Sequence, residues 1–387
     1  MYNQIIKIDS FDKQSVKNFI KNARHTFPEF FFKILKKKLN IKTKKKLSKI
    51  EIKKIVSSID IFSRTKNKKI LYKQEKKIRF FKDPLKILII KKEVVKIDEN
   101  LFQFQGDFLK NFRSLDKYFK NLALLRFNAT EQENPIIWPL DLFKKINYFN
   151  EFPQQVLMIT SLKKNSKIQE KFAQSYNLNN KYKKIKIDKS FDDIKYGLQP
   201  AVCNNCYYAL KNINKFNNKI YTTYNKVFRN EYSSTKSLDR LMSFTVRDIM
   251  FLGDQIFVKK TINELFQELK DFFISSDLCF SIEVADDPFF SSQINKKVFQ
   301  QSYELKYEIL VYIPHLKKKI AVGSINNHLN TYGKALNIKN NKGFIHSGCV
   351  GIGFERLLFS IYSQYGNNLK KWPKKLLKIL KYKIKKN

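Results

Sequence analysis

The sequence predicts an α+β fold, a mainly antiparallel sheet flanked by helices, and three observations carry that reading. Strand-like runs at residues 220–228 and 244–252 are joined by a polar loop at 230–240, and a second pair follows at 305–313 and 319–325. Apolar residues recur every three or four positions at 261–275, which is the spacing of an amphipathic helix, and a strand at 350–354 runs into a helix at 355–365. Strands that return on themselves around a few helices make an α+β domain, whereas strict alternation of strand and helix makes a parallel sheet.

Composition bounds the answer. A chain of 387 residues with 43% hydrophobic content can bury a sizeable core, as one large domain or two smaller ones. No run of 18 uncharged apolar residues occurs, so no membrane span is expected. The opening MYNQIIKIDSFDKQ lacks the continuous apolar segment of a secretory signal, and a cytoplasmic protein is the expectation. The formal charge of +42 comes mostly from Lys spread along the chain, accompanied by abundant Phe, Tyr, Ile and Asn and only 10 Gly, 9 Pro and 2 Trp. Those abundant residues share A/T-rich codons, so the charge reads as drift of the whole surface rather than a dedicated polyanion patch. Charge of this kind speaks to association, not to fold.

Along the chain, residues 1–95 form a Lys-rich extension of unclear role, with helical spacing at 12–22 and 47–59 around the charge run KKKLNIKTKKKLSK. Residues 96–387 carry the main domain. Its first segment, 102–125, repeats apolar residues at three and four and predicts a helix. Pro135, Pro139 and Pro153 then punctuate short segments leading to a strand at 156–160. No internal repeat is visible.

Four cysteines, Cys203, Cys206, Cys279 and Cys349, are too few for a disulfide framework in a chain this long. Cys203 and Cys206 form C-N-N-C, but no second such pair exists to complete a zinc ribbon, and no βαβ pattern suggests a thioredoxin-like redox pair. A metal site would have to draw ligands from elsewhere.

Three segments hold residues suited to chemistry. In VFRNE (227–231), Arg229 and Glu231 would project from one face of a strand, a cation for phosphate beside a carboxylate for a base or amine. In GCVGIGFERL (348–357), Gly348, Gly351 and Gly353 leave backbone open to a ligand, and Arg356 stands at the start of the next helix. The third is LQPAVCNNCYYAL (198–210), with Cys203 after Pro200. Each is weak alone. In this order and spacing they resemble motifs 2 and 3 of the class II aminoacyl-tRNA synthetases. The resemblance implies that Arg229 binds the α-phosphate of ATP, that Arg356 in G-x-G-x-E-R binds the γ-phosphate, and that Glu231 faces the adenine.

The resemblance narrows further. PAVCNNCYYAL, FRNEYSSTKSLDRLMSFTVRDIMFLGD, VADDPFF, ELKYE, SINNHLNTYG and HSGCVGIGFERL together are similar to the amino acid:[carrier protein] ligases, relatives of the atypical zinc-containing archaeal seryl-tRNA synthetases, from about residue 100 to 373. It implies a class II synthetase-like catalytic domain over 96–387 and a zinc ion held by Cys203, Asp248 and Cys349, with aspartate where the family has glutamate. Two thiolates and one carboxylate leave a tetrahedral position open, where the neutral α-amine of a small amino acid such as glycine or alanine would bind. Ser324, Asn326 and His328 lie where relatives hold the amino acid, and Glu308 would help hold Mg²⁺ at the phosphates. Asp286 and Asp287, beside Pro288, fit a turn as well as a site. The implied product is an aminoacyl-adenylate, passed to the phosphopantetheine thiol of a carrier protein by a homodimeric ligase. The competing expectation is a seryl-like synthetase charging tRNA, although residues 1–95 lack the sustained heptads of a long coiled-coil arm. An inactive paralogue that only binds RNA or protein would be expected to lose the two arginines, and both are present.

Overall fold

The computed structural model describes the chain outside residues 1, 9–10, 12–15, 17–18, 21–29, 36–37, 65–68, 79, 176–184, 186, 231–236, 290–292 and 381–387. Near the N-terminus, strands Tyr2–Lys7 and Phe31–Leu35 flank Lys38–Thr43 in an antiparallel three-stranded sheet. Alternation sends Ile6, Leu39 and Ile41 inward, where they meet Val16, Phe19, Leu47, Ile55 and Ile59. Lys38 and Lys42 take outward positions of the middle strand, which is how a Lys-rich segment acquires a core. The helix Lys49–Arg64 starts with a reciprocal cap: Ser48 N donates to Glu51 Oε2 (2.8 Å) and Glu51 N donates to Ser48 Oγ (3.2 Å).

Eight strands build the large sheet: β1 (Ile70–Gln74), β2 (Thr130–Gln132), β3 (Lys219–Phe228), β4 (Ser243–Gly253), β5 (Phe280–Val284), β6 (Lys306–Ile313), β7 (Lys318–Leu329) and β8 (His346–Gly353). Their spatial order is β1-β5-β6-β7-β8-β4-β3-β2. Every pairing is antiparallel except β3 with β2. The fold class expected from the sequence is therefore the one observed.

Helices α1 (Gly106–Asn121), α2 (Cys203–Ala209), α3 (Gln255–Ser275) and α4 (Phe354–Tyr365) divide between the two faces. On one face, Ile249, Phe251, Ile325, Val350 and Ile352 pack against Phe112 and Phe119 of α1, Phe272 and Phe273 of α3, and Leu357 and Phe359 of α4. A fully buried side chain of this size contributes about 2 kcal/mol by removal from water, so this face is the main store of stability. On the other face, Tyr221, Met250 and Cys349 meet Cys203, Cys206 and Tyr207 of α2 in a smaller cluster. Thus one strand, β4 or β8, serves the core with alternate residues and the site with the rest.

Two expectations shift at their ends. The helix expected from 102 begins at Gly106, because Leu101–Phe104 pairs with Val94–Asp98 and the chain then turns at Gly106 with φ +60°. Glu93 Oε2 accepts from Phe108 N (3.0 Å) and caps the first turn. The strand expected at 156–160 shrinks to Met158–Ile159, since Pro153–Gln155 first forms a 3-10 turn; it joins Ile137–Pro139 and Tyr196–Leu198 in a small sheet. No described helix is long and apolar enough to cross a membrane.

Candidate metal and substrate site

Cross-strand register assembles the site. Directly opposed residues share a face, so Glu308, Ser324, Gly351 and Asp248 form one row across β6, β7, β8 and β4, while Lys306, Asn326, Cys349 and Met250 form the next. The helix α2 lies over this face and brings Cys203 down to it. The Sγ atoms of Cys203 and Cys349 and a carboxylate oxygen of Asp248 all lie within 4.8 Å of one another, and all three residues are buried.

Neighbouring residues fix these three. Arg247, only 2% exposed, points to the helical face and grips both carboxylate oxygens of Asp116 on α1, with Nη2–Oδ2 at 3.2 Å. That anchor leaves Asp248, next along the strand, facing the site. Asn326 Nδ2 donates to Cys349 Sγ (3.5 Å) and to Ser324 Oγ (3.1 Å). His328 Nε2 lies 3.8 Å from Cys349 Sγ, and its Nδ1 lies 3.4 Å from Tyr207 OH, which itself donates to Gly348 O (3.1 Å).

The electrostatics describe a site short of positive charge. Burial and the nearby Cys349 push the Asp248 carboxyl well above its ordinary value. The neighbouring thiols shift each other in opposite senses, Cys349 down and Cys203 up, with burial also raising Cys203. Cys206 is pushed up by burial and lies outside the three-residue group, so the choice of Cys203 over Cys206 rests on geometry as well as on resemblance. Two buried thiolates and a buried carboxylate would be costly to hold as anions without a cation, and a soft thiolate set with one oxygen suits zinc. The donor set fits that ion.

The two arginines expected to bind phosphate, Arg229 and Arg356, are each half-buried. Strand β3 ends at Phe228, so Arg229 lies just beyond it; Arg229 Nε donates to Pro200 O (2.9 Å) and its guanidinium lies 5.4 Å from the Phe244 ring centre. The charge of Arg229 also bears on Asp248 and Asp287, holding both carboxyls lower than burial alone would leave them. Glu231 lies outside the described residues. Arg356, in the first turn of α4, donates from Nη1 to Ala321 O on β7 (3.3 Å).

Several residues carry roles the sequence did not signal. Glu355, 1% exposed, accepts from Thr245 N and Oγ1 and pairs with Lys226 (3.3 Å), tying α4 to β4 and β3 beside Arg356. Lys306 bonds Asp287 and lies 3.4 Å from Glu308. Asp287 is therefore a partner of the sheet and not merely a turn residue, and Glu308 has a cation beside it already. The period-two spacing of Lys306 and Glu308 was the available signal.

Comparison with known proteins follows the same lines. Residues 182–365 match the tRNA synthetase class II core domain (G, H, P, S and T). Over 282 residues the chain is 28% identical to the type-2 serine–tRNA ligase of Methanococcus maripaludis strain S2, covering 68% of this chain and 53% of that protein. Over 155 residues it is 32% identical to amino acid–[acyl-carrier-protein] ligase 1 of Bradyrhizobium diazoefficiens, covering 40% and 47%. The seryl-tRNA synthetase of M. kandleri, solved in complex with A. aeolicus tRNASec, superimposes with a TM-score of 0.71 at 15% identity over 98% of this chain and 77% of that one. The chain spans about half the length of the curated relatives it matches. Its fold is that of the class II tRNA synthetase core.

Proposed function

We propose that this chain activates a small amino acid with ATP, forming an aminoacyl-adenylate and releasing pyrophosphate. The observation that carries the reading is the buried Cys203–Asp248–Cys349 group on the same sheet face that Arg229 borders. A zinc ion bound there would supply a Lewis acid able to hold a neutral amine. The protein's own residues do the rest. Asn326 and Ser324 flank the amino-acid position, one strand over from Cys349. Arg229 and Arg356 take the phosphates, and Glu308 is the residue that would help hold a Mg²⁺ ion able to neutralise further phosphate charge. The amino-acid carboxylate attacks the α-phosphorus, a C–O–P linkage forms, and the bond to the β-phosphate breaks as pyrophosphate leaves. Positioning and charge stabilisation suffice, and no general base is required for this half-reaction.

For the acceptor, the reading that draws most support is a tRNA hydroxyl. The similarity to the serine–tRNA ligase extends over 68% of the chain, against 40% for the carrier-protein ligase. The likeness to the tRNA-complexed synthetase also takes in the N-terminal sheet, since it covers 98% of the chain. The motifs of the sequence favour the second reading, transfer to the phosphopantetheine thiol of a carrier protein, and the higher 32% identity over 155 residues supports it. A homodimer belongs to either reading.

The test is amino-acid-dependent ATP–pyrophosphate exchange across a panel that includes serine, glycine and alanine. Arg229→Ala and Arg356→Ala should each lower exchange by at least a hundredfold, on the order of one lost transition-state contact. Near-normal exchange in both would sink the adenylate assignment. Supplying bulk tRNA or holo-carrier protein with labelled amino acid then distinguishes the acceptors by where the label goes.

A further inference from the structure

The phosphate arginine and the metal-directed cysteine come from segments 26 residues apart, yet a single buried amide joins them. Gln199 has no exposed surface. Its backbone N donates to Ile136 O (2.9 Å) and its backbone O accepts from Phe228 N (2.9 Å). Its side chain donates from Nε2 to Lys226 O and accepts at Oε1 from Asn205 Nδ2 (2.9 Å). Lys226 and Phe228 are the last turn-side residues of β3, immediately before Arg229. Asn205 lies in α2, two residues after Cys203, and is itself 9% exposed and held to Pro135 O (2.9 Å). One residue further on, Pro200 O receives the Arg229 Nε bond.

We infer that Gln199 is a positioning residue that sets the metal-directed helix α2 and the phosphate arginine Arg229 relative to each other. The inference rests on the proposed adenylate site, and it adds how that site's two halves are held in register. The chemistry of the amide suits the task. It offers one donor and one acceptor in a fixed plane, and each goes to a different half of the site. Buried hydrogen bonds of this kind resist sliding because any shift leaves a partner unpaired in a dry interior. An apolar residue of equal length would fill the space and keep only the backbone bonds to Phe228 and Ile136, losing both side-chain bonds. The hydrogen bonds of Gln199 go to the backbone of β3 and to Asn205, so it acts through these.

The test compares wild-type protein with Gln199→Met, which keeps the volume and removes both side-chain bonds. Three readouts are taken: retention of zinc against a chelator, kcat and KM(ATP) of pyrophosphate exchange, and hydrogen exchange of peptides spanning 199–210 and 219–230. The expected result is zinc held roughly tenfold more weakly, kcat lowered about 10- to 100-fold, and faster exchange in both peptides. A purely structural role would lower thermal stability and leave zinc retention and kcat within twofold, and that result overturns the inference. Faster hydrogen exchange in only one peptide overturns it too, because the coupling requires both. If Gln199→Met fails to fold, Asn205→Ala removes the metal-side bond together with the bond to Pro135 O and leaves the bond from Gln199 to Lys226 O in place; weaker zinc with unchanged KM(ATP) supports the link, and unchanged zinc refutes it. Absence of amino-acid-dependent exchange in the wild type would instead refute the adenylate reading, while zinc retention and hydrogen exchange still decide the coupling.

Discussion

Gly351 of β8 lies directly across the ladder from Asp248 of β4, and a Cβ on that glycine would stand 2.7 Å from Asp248 Oδ1. The glycine is needed for the space it leaves, not for its backbone freedom, since Gly351 is not among the residues with positive φ. Its absent side chain gives the Asp248 carboxylate room to lie flat on the sheet beside the two thiols. Gly351→Ala should therefore turn the carboxylate away and weaken zinc retention by roughly tenfold or more, as loss of a ligand's support does. Chelator competition followed by metal analysis measures it. Retention equal to that of the wild type would show that Asp248 has another place to go.

Glu355 is a second case in which a motif residue has a job beside the ligand. Its carboxylate is 1% exposed and satisfies Thr245 N and Oγ1, with Lys226 completing the pair. Glu355→Ala would leave the buried Thr245 amide and hydroxyl unpaired, a loss of about 2 kcal/mol in stability. Denaturant unfolding should register a lower midpoint at an unchanged slope. A midpoint unmoved from the wild type would mean that water replaces the carboxylate freely.

Much of this arrangement was legible in the sequence, and the rest was not for physical reasons. Period-two alternation and returning strands announced β3, β4 and β8, and the Gly-rich run before Arg356 marked a turn into α4. Cys203, Asp248 and Cys349 could be joined only by resemblance, because contacts between residues 45 and 101 positions apart depend on register and leave no local pattern. Gln199 was silent for a related reason. A buried amide carries no periodic signal, and its meaning lies in partners that only the folded sheet supplies. The N-terminal lysines misled in the opposite sense: charge density hid the alternate apolar residues Leu39 and Ile41, which are fully buried.

That N-terminal unit offers a pH test. The Glu51 carboxyl is lowered from its ordinary 4.5 to about 2, first by the hydrogen bond from Ser48 N and then by Lys45. A depressed carboxyl stabilises the folded form fully above about pH 4.5, and the contribution fades as pH falls towards 2. Ser48→Ala retains the backbone donor but loses the hydroxyl and the reciprocal cap, so the Glu51 midpoint should rise partway towards 4.5. Carboxyl-detected NMR titration reads both values. A midpoint in the wild type near 4.5 would deny that the cap holds in solution.

Asp248 stands where glutamate is usual in the proteins this sequence resembles, and the geometry says the shorter side chain is matched by its surroundings. Its oxygen already reaches within 4.8 Å of both sulfur atoms, and Gly351 leaves space only at the carboxylate's present level. Asp248→Glu lengthens the reach by about 1.5 Å, one carbon–carbon bond. With α2 closing the site from above and the sheet below, the longer arm has to fold back or push past the thiols. The expected outcome is zinc retained roughly tenfold less well, with Cys203 more open to thiol reagents in the metal-loaded protein. Retention at or above the wild-type level would show instead that the site tolerates either length, and that Gly351 is not what fixes the ligand.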